Sequence, residues 1–138
     1  MREKFAKRIL CILVVLSFLL PTYVKADEGN KPDLSVKIIG YNPSNPKEGD
    51  MITIITKVAN IGNQDVKNFT FIIACDTVDI IESKSISSLA SNAFINISTN
   101  WLALKGNHTI TAIVDANGNI SELSETNNDD EISIFCCG

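Results

Sequence analysis

The sequence predicts an all-β domain made of two packed antiparallel sheets, and three observations support this fold class. From residue 33 onward, apolar residues come in short runs with a period near two, which is the period of a half-buried strand. Clusters of Gly, Asn, Pro and Ser separate these runs. No run keeps a helical period for the length of a helix. About seven strands joined by short connections are typical of a β-sandwich.

The seven predicted strands can be placed along the chain. They cover residues 34–41, 51–59, 69–78, 80–86, 94–104, 108–115 and 131–136. Pro43 and Pro46 close the first strand, because proline cannot donate a hydrogen bond to a ladder. Strand alternation predicts an inward face with Phe69, Phe71, Ile73, Cys75, Ile95, Ile97, Trp101, Ile110, Ala112, Val114, Ile132 and Ile134. Burial of these side chains, at roughly 25 cal/mol per Å², stabilises such a domain without a disulfide, metal or cofactor.

The first 26 residues have the three-part layout of a secretory signal. A basic start at residues 2–8 is followed by an apolar run at 9–20, by Pro21 and by small or modest side chains up to Ala26. We therefore expect export and cleavage after Ala26. The apolar run is shorter than the roughly 20 residues of a membrane-spanning helix, and an uncleaved membrane anchor is the alternative. A polar lead-in at 27–32 then precedes a folded domain at 33–135 and a tail with two cysteines at 136–138.

Charge excludes two classes of partner. Removal of residues 1–26 takes away one acidic and five basic residues, which leaves 15 acids, seven lysines, no arginine and a net charge of −8. Such a surface repels the phosphate backbone, so we expect no binding to nucleic acid. The mature chain also lacks a basic amphipathic helix, so we expect no stable membrane insertion.

A set of short motifs is spread along the predicted domain. They are 32–34, 42–49, 58–62, Trp101, 106–110 and, most specifically, the pattern of Asp115, Ile120, Glu122, Glu125, Asn127 and Asn128 before the last strand. Over residues 33–135 this set resembles the CARDB family, the cell-adhesion-related module of bacterial and archaeal surface proteins. The resemblance implies an immunoglobulin-like sandwich that serves as an extracellular interaction or spacer module. Such modules are usually repeated or attached to larger proteins.

The segment 115–130 is the densest polar feature of the chain. Its hard oxygen ligands could hold Ca²⁺, with the candidates Asp115, Glu122, Glu125, Asn127 and Asp129. It is not an EF-hand loop, since Ile120 stands where that loop needs glycine. The alternative is a structural loop, in which Gly118 makes a tight turn, Ile120 and Leu123 pin the loop, and the two asparagines 127–128 bond to backbone groups. We expect the structural loop.

Four Asn-x-Ser/Thr sequons are candidates for glycosylation. They begin at Asn68, Asn96, Asn107 and Asn119. The first three fall on the outward register or at the edge of a predicted strand, and the fourth lies in a loop. All four can therefore carry a glycan if the organism makes this modification, or they are ordinary surface asparagines.

Three cysteines follow the signal, an odd number for an exported chain. Cys75 and Cys136 share the inward parity, and Cys137 points outward. In an immunoglobulin-like layout their strands flank a third strand, so the two inward cysteines are about 10 Å apart, too far for a disulfide. We expect Cys75 to be a buried free thiol. Cys136 or Cys137 could instead form an intermolecular bridge or capture a metal.

No motif indicates an enzyme. His108 is the only histidine and falls on the inward side of a strand start, where we expect it to be packed. No nucleophile elbow, phosphate loop or Cys/His metal spacing occurs. The sequence thus predicts a secreted or cell-surface binding or adhesion module that contacts a protein or glycan through loops or a sheet edge. A small secreted regulator such as a protease inhibitor, and a calcium-rigidified accessory module, are the alternatives.

Overall fold

A computed structural model of the protein describes residues 29–138, and the predicted signal lies outside them. The described part consists of seven strands, with no helix. They are β1 (Leu34–Asn42), β2 (Met51–Asn60), β3 (Val66–Cys75), β4 (Asp79–Leu89), β5 (Phe94–Leu102), β6 (Gly106–Val114) and β7 (Asp129–Cys136). The predicted all-β class is therefore confirmed. A helix long and apolar enough to cross a membrane is not found in residues 29–138.

The strands form a three-stranded sheet in the order β1-β2-β5 and a four-stranded sheet in the order β4-β3-β6-β7. All neighbouring strands are antiparallel. The chain changes sheet after β2, β4 and β5, which gives the immunoglobulin-like sandwich that was predicted. One seam between the sheets is closed where β1 meets β7 and the loop before it. The Val36 N–H donates to the Asn127 carbonyl at 3.2 Å, and the Ile38 N–H donates to Asp130 Oδ2 of β7 at 2.8 Å.

The core lies between the sheets and uses the inward face that alternation predicts. Phe69, Phe71 and Ile73 of β3 are buried and face the fully buried β2 residues Ile52 and Ile54 across the core cluster. Full burial of each such side chain contributes about 1.5–3 kcal/mol to stability. The other predicted inward residues are also buried, except Ile95 and Ile132, which are partly buried against the same core.

The predicted end of the third strand is wrong. Residues 76–78 do not extend β3, because Asp76 and Thr77 adopt positive φ angles of 51° and 64° and make the turn to β4. The last strand ends at Cys136, as predicted, so the tail with two cysteines starts within β7. The Cys137 N–H then donates to the Pro46 carbonyl at 3.0 Å, which holds it to the β1–β2 connection.

A single buried asparagine joins the beginning of the domain to its first loops. The Asn60 side chain is fully buried, and its Oδ1 accepts the N–H groups of Asp33 and Gly62, both at 3.1 Å. Its Nδ2 donates to the carbonyls of Gln64 at 2.7 Å and Leu89 at 3.2 Å. Both donor hydrogens and the acceptor oxygen of this amide are therefore used.

The hydrogen bonds of Asn60 form a clamp on the start of the domain. Gly62 completes this clamp, because residues 31–33 pass directly over its Cα. A Cβ there would lie 2.5 Å from the Asp33 nitrogen and 2.6 Å from the Pro32 carbonyl carbon, which no real Cβ tolerates. Close passage of the chain permits the backbone bond from the Asn63 N–H to the Lys31 carbonyl at 3.0 Å. The part of the predicted lead-in nearest the domain is thus fixed to it.

We expect Asn60→Asp to destabilise the protein by about 3 kcal/mol, because two buried carbonyls lose their donor and a carboxylate is buried. Urea unfolding followed by tryptophan fluorescence measures the change. Asn45→Asp is the matched control, since Asn45 is exposed. The free energy of unfolding of this variant should stay within about 0.5 kcal/mol of the wild-type value. Equal midpoints for the two variants would contradict the role of the clamp.

Candidate functional site

Three acidic side chains of the β6–β7 loop converge at one end of the sandwich. Carboxylate oxygens of Asp115, Glu122 and Glu125 lie within 4.8 Å of one another. Asp115 and Glu122 are buried, whereas Glu125 is exposed. Three of the five predicted calcium ligands therefore come together.

Hydrogen bonds already use these carboxylates. Asp115 accepts the N–H groups of Asn119 at 3.1 Å and Ile120 at 3.0 Å, which folds the loop back on itself. Glu122 accepts the Leu34 N–H at 2.5 Å and the Asn128 side-chain amide at 2.6 Å. Burial raises the pKa of Glu122, and the neighbouring negative charges raise it further. The buried carboxyl of Glu122 thereby anchors the loop to the first residue of β1.

The other two predicted calcium ligands lie elsewhere. The Asn127 amide donates to Asp33 Oδ1 at 2.9 Å, and Asp129 is an exposed residue that begins β7. The loop is held partly as expected, since Ile120 packs against the core and the Gly118 N–H donates to the Asp115 carbonyl at 2.8 Å. Leu123 differs from the expectation, because its side chain is exposed and only its backbone N–H holds the loop.

The two asparagines of the motif also differ from the expectation. Their side-chain amides bond to the carboxylates of Asp33 and Glu122 rather than to backbone groups. Three carboxylates supply part of the oxygen shell of six to eight atoms that Ca²⁺ needs, and backbone carbonyls or water would have to complete it. Carboxylate oxygens are the kind of ligand atom that calcium prefers.

A second cluster at the opposite end of the sandwich was missed by the sequence reasoning. Donor atoms of Cys75, Asp76 and His108 lie within 4.8 Å of one another. His108 Nδ1 is 2.7 Å from Asp76 Oδ2, and Cys75 Sγ is 3.7 Å from the same ring nitrogen. The only sequence signal was that Cys75 and His108 are inward residues near the ends of two strands. Their proximity depends on the β3–β6 register, in which Cys75 opposes Ile110.

His108 is packed, as predicted. Its side chain is 13% exposed, and its ring meets that of Trp101 edge-on with 5.4 Å between centroids. Hydrogen bonding to Asp76 raises the pKa of His108 and lowers that of Asp76. The two side chains therefore form an ion pair at pH values between the lowered pKa of Asp76 and the raised pKa of His108.

This cluster does not have the geometry of a cysteine–histidine–aspartate triad. In a triad, the nucleophile and the acid contact opposite ring nitrogens, so that the imidazole can pass a proton between them. Here Cys75 and Asp76 both contact Nδ1, and Nε2 faces the Lys105 carbonyl at 3.3 Å. Burial, assisted by the Asp76 carboxylate, raises the pKa of Cys75 to about 12, which keeps the thiol protonated. A protonated thiol is a poor nucleophile.

The outer face of the three-stranded sheet carries five of the eleven large apolar side chains that are exposed in residues 29–138. Along it lie the exposed side chains of Ile39, Met51, Ile55, Phe94 and Leu102. At one end of this face the Lys57 ammonium sits 4.4 Å from the centre of the Phe94 ring. A hollow of about 160 Å³ opens beside them, lined by Lys57, Ala59, Asn60, Ile61, Asn92, Ala93 and Phe94.

A family model, CARDB, matches residues 31–131, which include all strands except the end of β7. The chain belongs to the CARDB family. This agrees with the resemblance carried by the motif from Asp115 to Asn128. CARDB domains are non-catalytic modules of cell-surface proteins.

Solved structures agree with the fold. The CARDB domain of the Pyrococcus furiosus protein PF1109, solved in complex with di-metal ions, is 23% identical, with a TM-score of 0.70 over 77% of this chain and 89% of that one. A domain of a Methanosarcina acetivorans protein described as a cell surface protein is 22% identical, with a TM-score of 0.62 over 77% and 92%. A Listeria innocua β-glucosidase in complex with glucose shares the fold at 10% identity, with a TM-score of 0.56 over 78% of this chain and 16% of that one. A comparison with curated proteins finds no match.

The three cysteines of the CARDB domain are free. β3 and β7 lie on either side of β6, as predicted for the strands that hold the two inward cysteines. On β6, Cys75 is paired with Ile110 and Cys136 is paired with Gly106. Cys75 and Cys136 are buried, and Cys137 is exposed. Of the two candidates for an intermolecular bridge, Cys137 is thus the accessible thiol, and the bridge itself stays a prediction.

All four sequon asparagines of the CARDB domain are exposed. This was predicted from strand parity or a strand edge for Asn68, Asn96 and Asn107, and from a loop position for Asn119. Asn96 lies on the apolar sheet face, directly opposite Lys57. A glycan at that position would cover part of the face. Modification of these sites stays a prediction.

The ion pair of His108 and Asp76 predicts a pH window for stability. The pKa of His108 is raised above its ordinary 6.5, so this stabilisation is present below pH 6.5 and lost as pH rises through the folded pKa. The pKa of Asp76 is lowered from 3.8, so the stabilisation is also lost as pH falls through the folded pKa below 3.8. Of the neighbouring groups, Cys75 stays a thiol, and Lys105 presents its carbonyl.

We expect the wild-type protein to be more stable than Asp76→Asn. The difference in free energy of unfolding should be largest between pH 3.8 and 6.5 and smaller on either side. Urea midpoints measured with EDTA present, from pH 3 to 9, give this difference. Asp129→Asn, at an exposed acid without a side-chain partner, should show no such window. A difference independent of pH would exclude the ion pair as its source.

Proposed function

We propose that this CARDB domain is a secreted or cell-surface, non-enzymatic binding module that docks on a partner protein through the outer face of β1, β2 and β5. Membership in a family of cell-surface modules supports the location. The concentration of large exposed apolar side chains on that face is the observation that carries the choice of surface.

The apolar side chains on this face lie in small groups. Met51 of β2 pairs with Leu102 of β5, and Ile39 lies at the β1 bulge beside the partner of Ile55. The ten residues of β2 span about 30 Å, so these groups are spread along the sheet, with polar residues such as Thr53 between them. Single exposed apolar residues are ordinary, but several on one face are typical of an interaction site.

Charge on the face favours a protein with an apolar centre and acidic surroundings. The outward residues of the three strands include Lys37 and Lys57 and no aspartate or glutamate, although acids outnumber lysines by 15 to seven after residue 26. The single aromatic side chain, Phe94, offers little platform for stacking a sugar. A protein partner therefore fits this face better than a glycan does.

Replacement of Phe94 should weaken binding to the partner. We expect Phe94→Ser to lower saturable binding of the labelled protein to cell envelopes of the producing organism by tenfold or more, because a buried aromatic anchor carries about 2 kcal/mol or more. Phe135→Ser is the matched control, since Phe94 is 57% exposed and Phe135, on the other sheet, is 64% exposed.

Three outcomes would overturn the proposal. If Phe135→Ser abolishes binding while Phe94→Ser does not, the contact lies on the four-stranded sheet. If glycosidase treatment of the envelopes removes binding and protease treatment does not, the partner is a glycan. Recovery of a single extracellular protease that the domain inhibits would support a regulator instead.

The carboxylates of Asp115, Glu122 and Glu125 support a second candidate, a calcium ion that rigidifies the β6–β7 loop. Three carboxylates so close repel one another, and a cation would offset that repulsion. The similar P. furiosus domain was solved with di-metal ions, which is compatible with metal binding in this fold.

Calcium should raise the melting temperature if this second candidate is correct. A ligand that binds only the folded state stabilises it by about 2.7 kcal/mol at 100 times its Kd. Glu125→Gln should remove the shift without unfolding the domain, because Glu125 is exposed, and Glu131→Gln, also exposed, should keep it. Identical melting curves in calcium and in EDTA would exclude the site.

A further inference from the structure

We propose that Cys75, Asp76 and His108 form a binding site for a divalent transition metal of the zinc class. The site lies where the β3–β4 turn meets the start of β6, at the opposite end of the sandwich from the acidic loop. It supplies one sulfur, one nitrogen and one oxygen ligand.

The three donor atoms already form a triangle close to one face of a metal tetrahedron. The edges are 3.7 Å from Cys75 Sγ to His108 Nδ1, 3.5 Å from Sγ to Asp76 Oδ2, and 2.7 Å from Nδ1 to Oδ2. Tetrahedral zinc with ordinary bond lengths requires edges of about 3.6, 3.5 and 3.3 Å respectively. Two edges match, and the third must widen by about 0.6 Å as the metal replaces the hydrogen bond.

Groups behind the ligands hold them in this orientation. His108 Nε2 faces the Lys105 carbonyl at 3.3 Å, so the Nε2–H can donate there while Nδ1 turns its lone pair to the metal. Asp76 Oδ1 accepts the Thr109 N–H at 2.9 Å, which leaves Oδ2 directed at the site. Partners of this kind fix the ring and the carboxylate at metal sites and raise affinity.

The backbone also fixes the Asp76 ligand. Asp76 and the next residue, Thr77, hold positive φ angles, a conformation that non-glycine residues adopt at a cost. The Asp76 N–H donates to the Thr109 carbonyl at 2.7 Å, so a second bond to the same residue of β6 retains this turn. The turn brings Asp76 back beside Cys75, its neighbour in sequence.

The ligand types select the metal class. Calcium and magnesium prefer oxygen ligands, whereas a thiolate with an imidazole and a carboxylate suits zinc and its neighbours. Binding displaces the thiol proton of Cys75 and the proton shared by His108 and Asp76, and both go to solvent. Because the Asp76 side chain is 44% exposed, water or a donor from another molecule can reach the site as the fourth ligand.

Cobalt and zinc titrations of the reduced, EDTA-treated protein test the site. We expect one Co²⁺ to bind with a thiolate charge-transfer band and to quench Trp101, the only tryptophan, whose ring is 5.4 Å from that of His108. Zn²⁺ should displace it and protect Cys75 from alkylation. Cys75→Ala should lose the band, and His108→Gln should weaken binding by 100-fold or more.

Cys137→Ser is the matched control, because Cys137 is exposed and outside the cluster, and it should keep the band and the affinity. Urea unfolding without metal shows that each variant is folded. A band that survives Cys75→Ala, a band lost in Cys137→Ser, or no binding at micromolar cobalt would overturn the proposal. Calcium and partner binding involve other residues, so their outcomes are independent of this one.

Discussion

Four hydrogen bonds of the buried Asn60 amide connect the start of β1, the end of β2, the β2–β3 loop and the end of β4. These segments belong to both sheets, so the amide sets how the sheets meet at this end. Gly62 is required beside it because the chain before β1 crosses where a side chain would stand. The Asn-x-Gly motif is thus a packing requirement, and its amide is stabilising because every polar group is satisfied.

Glu122 extends the same junction from the other side. Its carboxylate accepts the Leu34 N–H, one residue beyond the N–H of Asp33 that Asn60 accepts. Asn127 holds the Asp33 side chain. Two loops therefore hold the residues at the start of β1. The acidic motif has this structural role whether or not it binds a ligand. A cation there would act on a loop that hydrogen bonds already order.

Alternation of apolar and polar residues sufficed to predict the fold and its inward residues, because every second residue of a strand with one buried face is apolar. The sites depend on information that alternation lacks. Cys75 and His108 meet only through the register of β3 on β6, and Asp76 joins them through a turn that the sequence suggested was strand. Asp129 failed to join the acidic cluster because it begins β7, which carries it away from the loop.

The charge distribution separates the surfaces that the domain offers. Eight of the 13 acidic residues in residues 29–138 lie in the β6–β7 loop or on the four-stranded sheet, while the outer face of β1, β2 and β5 carries lysines among apolar and uncharged polar side chains. A net negative domain repels copies of itself at long range, which opposes self-association through that face. A partner with acidic groups around an apolar centre meets a region where this repulsion is locally reversed. Electrostatics therefore favours a different protein over a second copy.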